Sequence, residues 1–167
     1  MVNKVAIFVV GDHHTGKSTL IRSLTGAARN QIYNVKNGNG QLVHIFVSFS
    51  SPQEMSMTKH PPANFPDSIE QKYGVNRSDY DAFISAMRLE VRDQRNYGYE
   101  QYINSVRSKG FDVKIAIIEN SWNNIPTNAA KLSAIASFTQ RIGCPFIKLN
   151  AFNDPNAESS TLKRFYP

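Results

Sequence analysis

Two uninterrupted apolar runs stand out in a sequence that is otherwise mixed. Lys4–Val10 and Val113–Ile118 are rich in β-branched and aromatic side chains and lack the alternation of a half-exposed strand. Such runs are typical of strands buried on both faces, as in parallel sheets covered by helices. Two further runs, Ile32–Lys36 and Leu42–Phe49, flank the turn-forming segment Asn37–Gly40. Their arrangement predicts a β-hairpin with a four-residue loop.

Helices are predicted between the strands by apolar positions three and four residues apart. The predicted spans are Lys17–Ala28, Asp67–Tyr73, Tyr99–Lys109, Ala129–Ile142 and Ala157–Phe165. A last strand is predicted at Pro145–Leu149, and the proline-rich segment Ser50–Pro66 is predicted to be an irregular loop. Residues 79–89 fit either a strand over Tyr80–Met87 or a helix that continues to Arg95. Strands that alternate with helices predict a three-layer α/β/α sandwich with a mainly parallel sheet.

Composition bounds the class of protein. The chain has 167 residues and 41% hydrophobic residues, so we expect one folded domain spanning residues 1–167. Its single cysteine, Cys144, excludes an intramolecular disulfide and a zinc site built from cysteines. The formal charge of +6 permits nucleic-acid binding without requiring it. The apolar runs are far shorter than the ~20 residues of a membrane-spanning helix, and we expect a cytoplasmic protein.

A phosphate-binding loop is predicted directly after the first strand. Residues 11–18 read Gly-Asp-His-His-Thr-Gly-Lys-Ser and fit the pattern GxxxxGK[ST] at every fixed position. Backbone N–H groups of such a loop converge on phosphates, and the following helix adds the positive end of its dipole. We expect Lys17 to bind the β- and γ-phosphates as a catalytic residue and the Ser18 hydroxyl to ligate Mg²⁺. The expected nucleotide-binding residues of the loop are Gly11, Asp12, His13, His14, Thr15, Gly16, Lys17, Ser18 and Thr19.

The two histidines of the loop have two interpretations. His13 and His14 occupy variable positions of the pattern, where only the backbone is required to bind phosphate. One interpretation places a histidine side chain over the γ-phosphate, where it acts on charge or on water. The other treats both as solvated side chains that the loop tolerates.

From the hairpin onward the chain resembles a divergent Ras-like small GTPase, a branch of the P-loop NTPases. Phe49-Ser-Ser-Pro-Gln53-Glu54 lies where that family has Asp-x-x-Gly-Gln-Glu. Asn120-Ser-Trp-Asn123 lies where the family has Asn-Lys-x-Asp, and Asn150-Ala151 lies where it has Ser-Ala. The resemblance implies a six-stranded, mostly parallel sheet with an antiparallel hairpin. A strand over Tyr80–Met87 completes the six, so we prefer the strand there.

The resemblance also implies residue roles. Gln53 lies beside the position of the water-orienting Gln, and Glu54 can substitute as a water or metal partner, so both are candidate catalytic residues. Phe49 and Pro52 stand where the family has its Mg²⁺-binding Asp and a Gly that donates to the γ-phosphate, and proline has no N–H to donate. The residues implied to lie around the nucleotide base or beside it are Asn120, Trp122, Asn123, Asn150 and Ala151.

Asn123 bears on the choice of base. The Asp of the family accepts two hydrogen bonds from guanine, whereas an Asn side chain offers only one acceptor oxygen and an NH₂ donor. A mismatch of this kind costs about 1–3 kcal/mol, or roughly 10- to 100-fold in affinity. We therefore expect weakened guanine preference, with GTP or ATP as the ligand.

Three functions are compatible with these features. The first is slow hydrolysis of a Mg²⁺-bound nucleoside triphosphate to diphosphate and phosphate. The second is a non-catalytic nucleotide-binding or interaction module, and the third is a small-molecule or nucleotide kinase. A regulatory protein or a second copy of the chain is a further candidate partner, whereas nucleic acid is not favoured.

A group of arginines after the predicted fourth strand has its own interpretation. Arg88, Arg92 and Arg95 share one face if this segment is helical, and Glu90 and Asp93 are interleaved with them. We favour a solvated, salt-bridged face over a phosphate-backbone patch or an arginine supplied to a partner's nucleotide.

Overall fold

The computed structural model describes residues 3–12, 15–26, 29–55, 58–90, 97–121, 123–150 and 161–167. In these residues the strands are β1 (Val5–Gly11), β2 (Ile32–Lys36), β3 (Leu42–Ser48), β4 (Ala82–Arg88), β5 (Asp112–Asn120) and β6 (Phe146–Asn150). The helices are α1 (Lys17–Thr25), α2 (Asp67–Tyr73), α3 (Tyr99–Ser108) and α4 (Ala129–Arg141). Short 3₁₀ turns lie at Pro62–Asn64, Arg77–Asp79 and Lys163–Phe165.

The strands form one sheet in the order β2-β3-β4-β1-β5-β6. β2 and β3 pair antiparallel, and the other neighbours pair parallel. The predicted α/β class and the hairpin are therefore confirmed, and the ambiguous segment at 79–89 contains a strand. That strand, β4, lies between β3 and β1 with Arg88 opposite Gly11 in the register. The carboxyl ends of β1 and β4 thus adjoin at the phosphate loop.

Two segments differ from the sequence prediction. α1 ends at Thr25 rather than at residue 28, because Gly26 adopts a left-handed conformation with φ 65° and caps the helix. The helical interpretation of Arg88, Arg92 and Arg95 is wrong for Arg88, which is the last residue of β4. Arg92 and Arg95 lie outside the described residues, as do residues 157–160 of the predicted helix at 157–165, whose remaining residues 161–165 are helical.

Helices cover both faces of the sheet. On one face, apolar side chains of α1 pack with alternate residues of the central strands and with the segment that ends the chain, including Phe165 and Tyr166. On the other face, α2, α3 and α4 enclose an aromatic core in which Phe65 and Phe83 make an edge-on contact. This is the predicted three-layer sandwich. No helix among the described residues is long and apolar enough to cross a membrane.

Candidate functional site

The phosphate loop is held close to its neighbours. A side chain at Gly11 would place its Cβ 2.6 Å from Thr15 Oγ1 and 3.2 Å from Ile118 Cβ, so only glycine fits without a shift. Thr15 in turn donates its hydroxyl to the Asp12 carbonyl at 2.8 Å. Gly16 has φ 87°, a left-handed conformation that glycine adopts without strain, and it turns the chain into α1. Gly11 and Gly16 are therefore glycine for different steric reasons, close packing at Gly11 and a left-handed backbone at Gly16.

Lys17 is the first residue of α1 and is 6% exposed. Its Nζ donates to the carbonyl oxygens of Gly11 at 3.1 Å and Asp12 at 2.5 Å. Burial lowers the pKa of Lys17 to about 8; the Glu54 carboxylate opposes this shift, and the Arg88 charge adds to it. A lysine in such surroundings is well prepared for an added anion, because an anion favours the charged form that burial disfavours.

Ser18 and Thr19 are exposed in the first turn of α1. Ser18 Oγ donates to the Phe49 carbonyl at 3.3 Å, which brings the segment after β3 beside the phosphate loop. The Phe49 ring itself joins the core under the guanidinium of Arg22, at 5.1 Å from the ring centre. Phe49 thus packs apolar surface at the position of the family's metal-binding Asp.

The donor set around Ser18 suits a magnesium ion carried in with phosphate. Among the residues that the structure describes, no three His, Cys, Asp or Glu side chains cluster as a self-contained metal site. Mg²⁺ usually takes one or two protein oxygens and completes its shell with substrate phosphates and water. An exposed hydroxyl at Ser18 with carboxylates near Lys17 fits that mode of binding.

Gln53 and Glu54 both bond Arg88, the last residue of β4. Gln53 Oε1 accepts from the Arg88 N–H at 2.8 Å, while its Nε2 donates to the carbonyls of Arg88 and Tyr97, each at 3.3 Å. Glu54 Oε1 accepts from Arg88 Nε at 2.6 Å. The Gln53 amide is therefore engaged with backbone, whereas Glu54 forms an ion pair that a ligand can exchange.

A lysine of α4 also contacts the phosphate loop. Lys131, in the first turn of that helix, donates its ammonium to Asp12 Oδ1 at 3.1 Å and also to Glu90 Oε1. The Glu90 carboxylate beside it raises the pKa of Lys131. The backbone supports the same junction, because the Leu89 N–H donates to the Gly11 carbonyl at 3.2 Å. The phosphate loop is thereby tied to both β4 and α4.

The predicted base loop follows β5. β5 and β6 pair so that Asn120 lies opposite Asn150, which brings these two predicted residues together. Asn120 Nδ2 donates to Asn124 Oδ1 at 3.4 Å, within its own loop. Asn123 is exposed, and its Oδ1 accepts from the Ser121 hydroxyl. These side-chain hydrogen bonds thus join residues of the same loop.

Some predicted residues have no structural description, and some residues of the site were not predicted. His13, His14, Trp122 and Ala151 lie outside the described residues. The sequence pattern favours a solvated, salt-bridged surface for Arg88, and it predicts no role at the phosphate loop for Glu90 or Lys131. The sequence does contain a signal for Arg88 and Glu90, because polar residues at the end of a buried strand lie at the carboxyl edge of the sheet, where ligands bind.

Comparison with known proteins bears on the fold. No protein-family model matches the chain, and no curated protein matches its sequence. Among solved structures, the chain is similar to the FeoB G-domain of Methanococcus jannaschii, with 16% identity, a TM-score of 0.51, and coverage of 98% of this chain and 95% of that one. It is also similar to an Era variant of Aquifex aeolicus crystallised with GDP and AlF₄⁻, with 17% identity and a TM-score of 0.52.

The second similarity covers 99% of this chain and 58% of the Era chain, so this chain spans little more than half of that protein. Both identities are low, and both similarities concern the arrangement of strands and helices. The chain therefore has a P-loop GTPase-like fold.

Proposed function

We propose that the chain binds a nucleoside triphosphate at the phosphate loop and hydrolyses it slowly to diphosphate and phosphate. The observation that carries the proposal is Lys17, a buried lysine at the start of a helix, directly after a glycine-bounded loop and a fully buried strand. Its positive charge costs folding energy and suits an anionic ligand. A triphosphate supplies that anion at the position where loop amides and the helix dipole also favour negative charge.

Each residue near the phosphates has a proposed role. The backbone of residues 11–19 cradles the phosphates, and Lys17 binds the β- and γ-phosphates. Ser18 would hold Mg²⁺, which when bound neutralises charge on the phosphate oxygens. Glu54 is the proposed water partner, because its carboxylate acts on the charge of Lys17 and lies at the end of β4, where it accepts from Arg88 Nε. Gln53 is proposed to act by holding the end of β4 rather than by touching water.

Relaxed base choice is part of the proposal. Asn120, Trp122, Asn123, Asn150 and Ala151 are the residues proposed to lie around the base. Asn123 Oδ1, the single acceptor that could meet guanine, already accepts from Ser121. Reading guanine requires a paired acceptor, and breaking the internal bond costs part of what a new bond would supply. We therefore expect GTP and ATP to bind within about 100-fold of each other.

The test is binding and turnover of GTP and ATP by the wild-type chain, by Lys17→Ala and by Lys36→Ala. Lys36 is an exposed lysine at the end of β2 and serves as the matched control. We expect Lys17→Ala to lose at least about 100-fold in affinity, since it removes charge-assisted bonds to two phosphates, and Lys36→Ala to behave as wild type. Phosphate release at the same rate from wild type and Lys17→Ala would contradict hydrolysis at this site.

The same assay separates the other two functions. Binding without phosphate release above the Lys17→Ala background would identify a non-catalytic nucleotide-binding module. A kinase is favoured by one observation, a surface cavity of about 540 Å³ lined by the prolines at 61–62 and by α3. Tyr97 also lines it, and the Tyr97 carbonyl accepts from Gln53 Nε2. Transfer of phosphate to an added nucleoside or sugar would support the kinase.

Partners and location belong to the same proposal. A slow hydrolase of this kind is proposed to work in the cytoplasm with a regulatory protein or a second copy of the chain. The positive surplus is proposed to serve the nucleotide rather than a nucleic acid, because cations at the site have acidic neighbours, as in the Lys131 contacts with Asp12 and Glu90.

A further inference from the structure

The surface cavity of about 540 Å³ lies between the proline segment at residues 61–63 and one side of α3. The residues that α3 contributes to its lining are Gln101, Asn104, Ser105 and Ser108. With about 3.6 residues per turn, these four positions fall within an arc of about 100° on the helix surface. The charged residues Glu100 and Arg107 fall outside that arc. One face of α3 therefore presents only uncharged amides and hydroxyls to the cavity.

The wall formed by the proline segment is held in place by α3 itself. The Tyr102 hydroxyl donates to the His60 carbonyl at 2.9 Å, and the Ser105 hydroxyl donates to the Pro62 carbonyl. The proline rings at 61 and 62 further limit rotation of the backbone between these bonds. The cavity is therefore formed before any ligand enters, so binding requires little ordering of its walls.

Two amide side chains of the lining can bond a ligand. Gln101 Oε1 accepts from the Gly98 N–H at 2.9 Å, which leaves its Nε2 hydrogens to donate. Asn104 is exposed, and its side-chain amide bonds no other group among the residues that the structure describes. An amide of this kind offers donors and an acceptor together, and a hydroxyl group of a ligand likewise both donates and accepts. The two amides thus suit a molecule that carries several hydroxyl groups.

Tyr97 adds an apolar surface beside the amides. It is 38% exposed, and its ring makes an edge-on contact with the buried ring of Tyr102, with the ring centres 6.4 Å apart. The face of an aromatic ring is electron-rich and attracts weakly positive C–H groups. A sugar ring carries such C–H groups on its faces and hydroxyl groups around its rim, so it matches both parts of the lining.

Charge distinguishes this cavity from the phosphate loop. Among the residues that the structure describes, those that line the cavity carry no charge. A phosphate or carboxylate would lose hydration there without the Arg or Lys partner that normally compensates it. We propose that the cavity binds a neutral sugar ring, which packs its C–H face on Tyr97 and bonds its hydroxyl groups to Gln101 and Asn104. Binding there requires no nucleotide, so the site goes beyond the proposed function.

The experiment titrates the full chain, without nucleotide, with glucose, galactose, mannose and xylose, and follows binding by ligand-observed NMR. Glucuronate and sorbitol are the matched probes, because the first adds a charge to the ring and the second has the hydroxyl groups without the ring. We expect at least one of the four sugars to bind with a Kd of about 1–10 mM. Glucuronate and sorbitol should each bind about tenfold more weakly or less.

Variants then assign the binding to this cavity. Tyr97→Ala should weaken sugar binding by about tenfold and Asn104→Ala by about three- to tenfold, since each removes one contact. Tyr97→Phe keeps the ring and should stay within about threefold of wild type. Arg107→Ala is the matched control on α3, outside the lining arc, and should leave the affinity unchanged. Circular dichroism checks the fold, which alanine at an exposed helix position should preserve.

Two results would overturn the proposal. One is the absence of binding by all four sugars up to about 50 mM, and the other is an affinity that Tyr97→Ala and Asn104→Ala both leave unchanged. Adenosine and a polyproline peptide are tested beside the sugars. If either binds, loses affinity in Tyr97→Ala and no sugar binds, the cavity serves a different ligand and the assignment to a sugar is wrong. Hydrolysis at the phosphate loop is unaffected by any of these outcomes, because no nucleotide is present.

Discussion

The phosphate end and the base loop of the same site are built in opposite ways. At the phosphate end, three separate elements contribute the cations Lys17, Arg88 and Lys131. Lys17 donates to the Asp12 carbonyl, Lys131 donates to the Asp12 carboxylate, and Arg88 donates to Glu54. In the base loop, Ser121 and Asn123 bond each other, and Asn124 and Ile125 are exposed. One region is therefore assembled by the whole fold, and the other by a few consecutive residues.

The difference indicates where binding energy is expected to come from. Buried, positioned charges act strongly on an anion because little water screens them. An exposed loop whose polar groups already bond one another has fewer hydrogen bonds to offer a ligand. It must also break some of its internal bonds when it binds one. We expect the phosphates to determine affinity and the base to modulate it.

The largest expected effect is a pH dependence of phosphate binding. Lys17 has a pKa of about 8 in the free protein, and a bound triphosphate raises that pKa. The affinity for triphosphate is therefore highest below pH 8 and falls above pH 8, where the free lysine loses its proton. We expect a loss of about tenfold per pH unit between pH 8 and 10, measured with the imido analogue of ATP, whose base does not ionise there. Lys17→Arg keeps its charge and should show no break near pH 8. A flat wild-type profile would contradict the assignment.

The next effect tests the close packing of the phosphate end. Gly11→Ala forces its Cβ against Thr15 Oγ1 and Ile118 and should lower the free energy of unfolding by about 1–3 kcal/mol. Gly38→Ala is the matched control, because nothing lies within 4 Å of the added Cβ. Denaturant unfolding should separate the two variants. Equal unfolding free energies for the two variants would mean that the phosphate loop adjusts to the added Cβ without cost. The phosphate end would then not be more closely packed than the base loop.

A smaller effect is expected in the base loop. Asn123→Asp supplies a second acceptor oxygen and should raise the preference for GTP over ATP by about tenfold. Asn124→Asp changes the same charge one residue away and should leave the preference unchanged. Competition binding of the two nucleotides measures the ratio. A wild-type preference for GTP above about 100-fold would show that the base loop already selects guanine.

The smallest effect concerns the bridge from α4. Lys131→Ala removes contacts with Asp12 and Glu90, but the Lys131 side chain is 35% exposed, so the cost in unfolding free energy should be under about 1 kcal/mol and should shrink with salt. Lys148→Ala, which removes a more exposed pair with Glu119, is the control. A cost of about 3 kcal/mol or more would mean that the bridge behaves as a buried ion pair.

Local pattern predicted much of the fold but not the order of the strands. The bounds of β2 and α2 agree with their predicted spans, since turn residues and a glycine mark their ends. The position of β4 between β3 and β1 depends on pairing between residues such as Val5 and Ala82, far apart in the chain. Periodicity carries no information on such pairing, and this is why the sequence pattern alone leaves residues 79–89 open between a strand and a helix.

The candidate site divides in the same way. Gly11, Gly16 and Lys17 are contiguous with a known pattern, so their chemistry could be predicted from sequence. Lys131 meets Asp12 across 119 positions of sequence, and only the folded sheet brings them together. The role of Gln53 was also beyond sequence reasoning, because its amide bonds backbone groups that carry no residue-specific signal.

The central place of β1 also has a consequence for how the molecule is made. β1 pairs with β4 and β5, whose residues opposite Val5 are Ala82 and Asp112. During synthesis the first strand must wait until β4, at residues 82–88, has emerged before either neighbour can pair with it. The loop that follows β1 therefore acquires its shape late in folding. Nascent chains that stop before β4 should be unable to capture nucleotide, so ligand binding would report completion of the fold.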